Sequence, residues 1–217
     1  MTRAGRFYVP IFPLPDLTFF PHTILPLHVF EPRYRAMVND CLGRGRRLAV
    51  VGLKPGYEDD YEGKPAIHAV AGAGQIVQWE RLATGRFNIL VKGDGRIRIE
   101  REIPTDTLYR VAEATALADV GAGGAAAGRL MTEIKTRCRR VLTAVGRSSP
   151  RLDEALAASS SSPPVLADQI ASALISSPAL RQRLLEETDV ERRLRLLLAA
   201  LDRLLGQLDE GRQAGSS

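Results

Sequence analysis

The hydrophobic pattern of this 217-residue chain changes its period near residue 120, and this change constrains the fold more than any single motif. Before it, short apolar runs have a period of two, as in residues 96–102, where Ile97 and Ile99 alternate with charged side chains. After it, apolar residues follow helical spacing. The clearest example is the last stripe, which consists of Val190, Leu194, Leu197, Leu198, Leu201, Leu204, Leu205 and Leu208. Strands followed by helices predict an α+β protein with segregated halves.

The first half predicts closely spaced short strands, which favour a barrel or a sandwich. The turn residues 83–85 are expected to join two of these strands as a hairpin, and Gly93-Asp94-Gly95 is expected to form a second turn. Strands are predicted over residues 7–14, 23–29, 47–53, 75–82, 86–92, 96–102 and 109–117.

One helix interrupts the strands. Pro32 suits a first helical turn, and the glycines at positions 43 and 45 are expected to end the helix. Its predicted apolar stripe consists of Tyr34, Met37, Val38 and Cys41.

A Gly- and Ala-rich stretch separates the two halves. Residues 119–128 are interpreted as a linker, because glycine tolerates many backbone conformations. The prediction is therefore a barrel subdomain over residues 1–118, a helical bundle over 129–210 and a frayed tail over 211–217. Helices are expected over residues 130–145, 165–175, 180–185 and 190–208, with a loop over 148–164.

Composition and charge argue against several classes of protein. The chain is 45% hydrophobic and 25% charged, which is typical of soluble globular domains. Its net charge is +5, spread as +3 before residue 118 and +2 after it, whereas nucleic-acid binding surfaces concentrate their charge. The longest uncharged apolar stretch, residues 17–30, contains two prolines and is too short to span a membrane. Two cysteines are too few for a disulfide scaffold, so we expect a cytoplasmic protein without a membrane segment.

Motifs for cofactors, metals or catalysis are weak. Residues 121–126 match G-x-G-x-x-A, but antiparallel strands precede them and helices follow, so a linker is favoured over a dinucleotide site. The histidines at positions 22, 28 and 68 lack metal-ligand spacing, and no nucleophile–base pair is fixed by sequence. We therefore predict no catalytic, cofactor or metal site.

The Pro-rich apolar segment 19–27 is the candidate binding surface. Two prolines make a regular, fully paired strand unexpected here, so some apolar side chains are expected to escape the core and contact bound polypeptide. We expect partial exposure of Phe20 and Ile24. The alternative is that these residues fill the barrel core. The complete candidate set is Phe19, Phe20, Pro21, Ile24 and Leu25.

Three segments together resemble a known family. Residues 10–38 (PIFPLPDLTFFPHTILPLHVFEPRYRAMV) closely resemble the opening of the N-terminal, substrate-recognition domain of Lon proteases. Residues 74–99 are similar to that family's central hairpin and following strand, and residues 166–201 to its helical end. The resemblance covers most of residues 8–205 and implies a PUA-like pseudo-barrel followed by a helical bundle.

The resemblance also implies a function. This sequence contains neither the ATPase module nor the Ser-Lys peptidase module of full Lon proteases, so we expect a free-standing, non-enzymatic LON-domain protein. It is expected to bind unfolded or tagged polypeptide in a groove between barrel and helices, with a protease or chaperone system as a further partner. Glu31, Arg33 and Tyr34 match the family's FEPRY stretch and are interpreted as structural.

Two other functions stay open at this point. A PUA-like fold rich in arginine is compatible with nucleic-acid binding through the arginines at positions 44, 46 and 47 or those at 137, 139 and 140. However, 6% aromatic residues is low for a single-strand reader. A small-molecule or enzymatic role would need a pocket with convergent polar groups. The salt dependence of the binding affinity distinguishes nucleic-acid binding from peptide binding, because phosphate contacts weaken steeply as the salt concentration rises.

Overall fold

In a computed structural model, the chain divides into two compact units, Met1–Ala118 and Asp119–Ser217. The structure describes residues 5–58, 63–122, 124–146, 150–157 and 162–214. The first unit contains the sheet and the second contains helices, so the predicted α+β class is confirmed.

The first unit is a sheet that closes on itself. Its elements are β1 (Arg6–Leu14), β2 (Ile24–Val29), α1 (Pro32–Gly43), β3 (Arg47–Gly52), β4 (Val70–Arg81), β5 (Phe87–Ile103) and β6 (Val111–Leu117). The strand order is β2-β5-β4-β3-β1-β6, and a further pairing of β5 with β6 closes a ring of five strands. Only β1 and β3 run parallel among these pairs. The remaining strand, β2, pairs with the first part of β5 as an extension beside the ring.

The predicted turn at Gly93-Asp94-Gly95 is wrong, because β5 continues through it. Ala73 pairs with Gly95 and Gly74 pairs with Gly93, which leaves Asp94 as the extra residue of a β-bulge. Its carboxylate accepts hydrogen bonds from the two terminal nitrogens of Arg47 at 2.8 and 3.0 Å. Turns and bulges favour the same residue types, so only the pairing with β4 distinguishes them.

The sheet separates two hydrophobic cores. The core inside the ring draws on all five ring strands and is built largely from alanine, which suits a narrow interior. The other core lies between the opposite face of the sheet and α1, whose predicted stripe is buried. The ring interior contains Val9, Ile11, Ala49, Val51, Ala71, Ala73, Ile97, Ala112 and Ala114.

The second unit is helical, as predicted. It contains α2 (Ala125–Val145), α3 (Pro150–Ala157), α4 (Pro163–Leu174), α5 (Pro178–Glu186) and α6 (Val190–Ala214). The helix α3 lies inside the predicted loop over 148–164. Its Pro150 occupies the helix start, where a missing backbone donor does little harm.

Two boundaries of this unit differ from the expected ones. Helix α2 begins inside the stretch interpreted as a linker, and α6 continues through residues 211–214 of the expected frayed tail. The rest of that tail, residues 215–217, and residue 123 of the linker lie outside the described residues.

Hydrogen bonds and an ion pair hold residues 119 and 120 at the start of α6. The Val120 amide donates to the carbonyl oxygen of Thr188 at 3.0 Å, and the Val190 amide donates to the Val120 carbonyl at 2.9 Å. Asp119 also forms an ion pair of 2.9 Å with Arg193, which is buried and lies 3.8 Å from the buried carboxylate of Asp168. The start of the Gly/Ala-rich stretch is therefore an ordered part of the helical unit.

None of the helices in the described parts of the chain has both the length and the apolar character that a membrane span requires.

Candidate functional site

The candidate segment 19–27 splits into a buried part and an exposed part. Phe19, Phe20 and Pro21 are all buried, and the exposed fraction of Phe20 is 0%. The prediction that Phe20 is partly exposed is wrong, and these three side chains are not available as a contact surface.

Glycines on the sheet explain this burial. A Cβ atom at Gly72 would overlap the carbonyl oxygen of Phe19, and one at Gly93 would overlap that of Phe20. At Gly74 a Cβ would lie 3.1 Å from the ring of Phe19. The segment therefore lies directly on the strands at positions that only glycine leaves open.

Backbone hydrogen bonds hold the same segment on β5. The His22 amide donates to the carbonyl oxygen of Gly93 at 3.0 Å, and the Gly93 amide donates to that of Thr23 at 2.9 Å. The Thr23 hydroxyl closes the turn by donating to the Phe20 carbonyl at 2.6 Å. Residues 19–23 thus act as an anchor rather than as a binding surface.

Ile24 and Leu25 have different surroundings. Leu25, Leu27 and Val29 point to the core beside α1 and pack there, so Leu25 is only partly available. The alternate residues of β2 point away from that core, and Ile24 is partly exposed, as predicted. Phe30 continues this side just after the strand, with 56% of its surface exposed. We define the β2 face as Ile24, Pro26, His28 and Phe30.

Phe30 was missed by the sequence analysis. It lies outside the Pro-rich segment, but the period of two that starts at Ile24 places it on the same side as His28. The two rings stack at a centroid distance of 6.2 Å. Strand alternation, continued by one residue, was the signal that could have identified it.

The β2 face borders a shallow groove of about 360 Å³. A polar chain crosses it, because Nδ1 of His28 lies 2.8 Å from Oδ1 of Asn88, whose Nδ2 donates to Glu80 at 3.1 Å. The lining contains no Ser, Thr, Cys or Lys, and its two titratable side chains, His28 and Glu80, are both engaged with Asn88. The groove therefore offers apolar and hydrogen-bonding contacts that suit binding. It is lined by Pro26, Leu27, His28, Gln78, Trp79, Glu80, Asn88, Ile89 and Leu90.

The FEPRY residues connect α1 to β1. Nε of Arg33 donates to the Glu31 carboxylate at 2.9 Å, and its guanidinium lies 4.8 Å from the centre of the Tyr34 ring. The Tyr34 ring packs on Phe12 at a centroid distance of 4.1 Å, and its hydroxyl donates to the Pro13 carbonyl at 3.5 Å. These contacts position the helix and leave no free catalytic group among the three residues.

A second and larger cavity lies in the first unit. It has a volume of about 750 Å³. We call it the β1 cleft, and it is lined by Phe7, Tyr8, Val9, Pro10, Asp40, Cys41, Arg44, Arg47, Ile103, Thr105, Thr107, Tyr109 and Val111.

Two titratable groups of the β1 cleft, Cys41 and Tyr109, do not suit catalysis at neutral pH. Burial raises the pKa of the Cys41 thiol to about 12, with a smaller contribution from the Asp40 carboxylate. Burial and a 2.7 Å hydrogen bond to Asp40 raise the pKa of Tyr109 to about 12 as well. Both groups stay protonated at neutral pH, so neither serves as a nucleophile or as a base.

The two arginine clusters are largely engaged within the protein. Arg47 is paired with Asp94, and the Arg46 guanidinium lies 4.4 Å from the centre of the Trp79 ring. Arg137 pairs with Asp202 at 3.1 Å, and Arg139 donates to the Leu156 carbonyl at 3.2 Å. These contacts leave fewer cations for phosphate than the sequence indicated. Within the described residues no three His, Cys, Asp or Glu side chains are grouped as a metal site.

A closed sheet with one packed helix, followed by a helical unit, defines an α+β protein of the type found at the N-terminus of Lon proteases. The N-terminal domain of a Mycobacterium avium complex Lon protease matches with a TM-score of 0.72 at 19% identity, over 90% of this chain and 98% of that one. A Lon N-terminal domain protein from Xanthomonas campestris matches with a TM-score of 0.65 at 25% identity, over 89% and 98%.

Sequence comparison identifies the family. The model of the ATP-dependent protease La (LON) substrate-binding domain matches residues 8–203, and the chain belongs to this family. The Lon protease of Roseiflexus castenholzii is 32% identical over 214 residues, which are 95% of this chain and 25% of that protein. The Lon protease of Xanthomonas oryzae pv. oryzae is 28% identical over 211 residues, or 93% and 23%. The chain thus spans about a quarter of the length of these relatives.

Proposed function

We propose that this chain is a non-catalytic module that binds exposed apolar segments of other polypeptides on its β2 face. The observation that carries the proposal is the pair of apolar side chains on one side of β2 and its extension, the partly exposed Ile24 and the exposed Phe30, in a member of the LON substrate-binding domain family. A protease or chaperone system would then receive the bound client.

The β2 face is suited to this task because its support is rigid. β2 pairs with β5 along its whole length, from Ile24 opposite Lys92 to Val29 opposite Phe87. The apolar side chains on the exposed side therefore lose little conformational freedom when a partner covers them. Covering them contributes about 25 cal/mol per Å² of apolar surface.

Substitutions on the β2 face test the proposal. The variants Ile24→Ser and Phe30→Ser are titrated, in the full chain, with reduced and carboxymethylated α-lactalbumin, a client that stays unfolded. We expect each to weaken binding by about fivefold or more, as for a side chain in the centre of an interface, while the melting temperature stays within about 2 °C. Val145→Ser, which removes an exposed apolar side chain of α2, is the matched control and should not change the affinity. Unchanged affinity in both β2-face variants would refute the assignment.

The proposal includes the absence of intrinsic catalysis. The matching family model is that of the substrate-binding domain, and the groove beside the β2 face has no Ser, Thr, Cys or Lys in its lining. Purified chain incubated with ATP, Mg²⁺ and unfolded casein is expected to leave both substrates intact. Turnover that copurifies stoichiometrically with this chain would contradict this part of the proposal.

Salt dependence distinguishes this function from nucleic-acid binding. Apolar contacts predict client affinity that changes little between 50 and 200 mM salt, whereas ~6–10 phosphate contacts would reduce affinity by about 10³–10⁵ over the same range. The engagement of Arg46, Arg47, Arg137 and Arg139 within the protein favours the first result.

A further inference from the structure

The β1 cleft contains an open strand edge. On one side, residues 6–10 of β1 pair with β6, but pairing with β3 on the other side begins only at Ile11. The Ile11 amide donates to the Arg110 carbonyl at 2.9 Å, so the amides of odd-numbered residues face β6 and the amide and carbonyl of Tyr8 face the open side. Along residues 6–9 this side of β1 has no strand partner among the described residues.

The walls beside this edge are mostly apolar. Val111 and Ile103 face each other across the β5–β6 pair at the end of the cleft, and Pro10 and Tyr109 also line it. Tyr8 is 66% exposed, although it lies in the middle of a strand. An apolar cavity of about 750 Å³ beside an open edge has room for several residues of an extended chain.

One guanidinium in the lining has no hydrogen-bond or ion-pair partner among the described residues. It belongs to Arg44, whose backbone amide donates to the Cys41 carbonyl at 3.1 Å, whereas the guanidinium of the neighbouring Arg47 is held by Asp94. The carboxylate that lines the cleft belongs to Asp40, and it already accepts the hydrogen bond of Tyr109 at 2.7 Å. An incoming carboxylate would therefore find an unpaired guanidinium, with which it forms a strong charge-assisted hydrogen bond.

We propose that the β1 cleft binds the C-terminal end of an extended apolar polypeptide, which adds as a strand beside residues 6–9 and places its terminal carboxylate at Arg44. This inference rests on the proposed polypeptide-binding function but assigns a second surface, separate from the β2 face. A peptide is the fitting occupant because its backbone carries the alternating donors and acceptors that match the open edge. A simple apolar acid would match only the walls and Arg44.

The test uses one peptide in two forms. A fluorescent, N-acetylated hexapeptide of alternating valine and threonine that ends in phenylalanine is prepared as the free acid and as the C-terminal amide. The wild-type chain is expected to bind the acid about tenfold more tightly, as for one hydrogen bond to a charged group. Arg44→Gln should abolish this preference and Arg44→Lys should retain most of it. Arg86→Gln, an exposed arginine elsewhere in the unit, should not change it. Equal affinity of the two forms for the wild-type chain would overturn the proposal.

A second pair of variants tests strand addition itself. Tyr8→Pro removes the amide that faces the open side and keeps the β6 ladder, as Pro10 already does two residues later. Tyr8→Ala removes the ring but keeps the amide. We expect Tyr8→Pro to bind at least about tenfold more weakly than Tyr8→Ala, with similar melting temperatures for both. Equal affinities would exclude strand addition. Dodecanoic acid that displaces the peptide, and binds Tyr8→Pro as well as wild type, would reassign the cleft to small apolar acids.

The outcomes for the two surfaces are distinguishable. Ile24→Ser should leave the preference for the acid over the amide form of the hexapeptide unchanged, because that preference arises at Arg44 and the β2 face lies on another strand. If the hexapeptide fails to bind while unfolded α-lactalbumin binds through the β2 face, the cleft assignment is overturned and the proposed function stands. If neither ligand binds the wild-type chain, both are refuted.

Discussion

Residues 17–23 and residues 24–30 follow one another in the chain and have similar compositions, yet the structure uses them in opposite ways. Each stretch contains phenylalanine and proline. The first buries both of its phenylalanines against the sheet, whereas the second exposes Phe30 and part of Ile24. Apolar composition alone therefore does not decide which side chains are left for a partner.

The difference lies in what each stretch faces. Residues 19–21 lie over Gly72, Gly74 and Gly93, so the backbone approaches the sheet closely and the aromatic rings fill the space around it. Residues 24–29 instead form a strand with one partner, and a strand presents half of its side chains to each side. One stretch is an anchor, and the other carries the exposed apolar face.

The largest expected effect comes from truncating the anchor. Phe20→Ala should reduce the free energy of unfolding by about 3–5 kcal/mol, because a fully buried ring leaves a cavity. The same substitution ten residues later, Phe30→Ala, should change it by less than about 1 kcal/mol, since that ring is exposed. Urea denaturation of the two variants measures both quantities. Equal losses would remove the distinction between the two stretches.

The second-largest loss of stability is expected from adding a methyl group beneath the anchor. Gly72→Ala should cost about 1–3 kcal/mol or more, because the new Cβ would meet the Phe19 carbonyl and neither backbone moves easily. Gly95→Ala is the matched control on the facing strand, where a Cβ has nothing within 4 Å. Thermal melts of both variants decide the point. A tolerated Gly72→Ala would show that the close approach is not needed.

A smaller effect is expected at the end of the anchor. Thr23→Val removes the hydrogen bond to the Phe20 carbonyl and should cost about 1 kcal/mol. Thr23→Ser keeps the hydroxyl and should stay close to wild type. If both variants have wild-type unfolding free energies, the hydroxyl does not contribute to holding the anchor.

Much of the fold follows from local sequence, and the exceptions have a common cause. A short apolar run predicted β1, and helical spacing predicted α1 and α6, because these patterns depend on neighbours within a few residues. The bulge at Asp94 depends on pairing with another strand. The burial of Phe20 depends on sheet glycines that lie more than 50 residues away in the sequence.

The candidate sites, too, could be predicted only where they depend on local sequence patterns. Ile24 was identified because it lies in the conspicuous Pro-rich segment, and Phe30 could have been found by continuing its alternation. The open edge at Tyr8 could not be found, because it depends on where the parallel pairing of β1 with β3 begins. Single-strand patterns do not contain that register.

Methyl resonances of isoleucine test the central claim most directly, since they need no substitution. The full chain, labelled at isoleucine methyls, is titrated to saturation with unfolded α-lactalbumin. We predict that Ile24 on the β2 face shifts or broadens, while Ile11 and Ile97 inside the ring keep their resonance positions. Saturable binding that leaves Ile24 unperturbed would contradict the account.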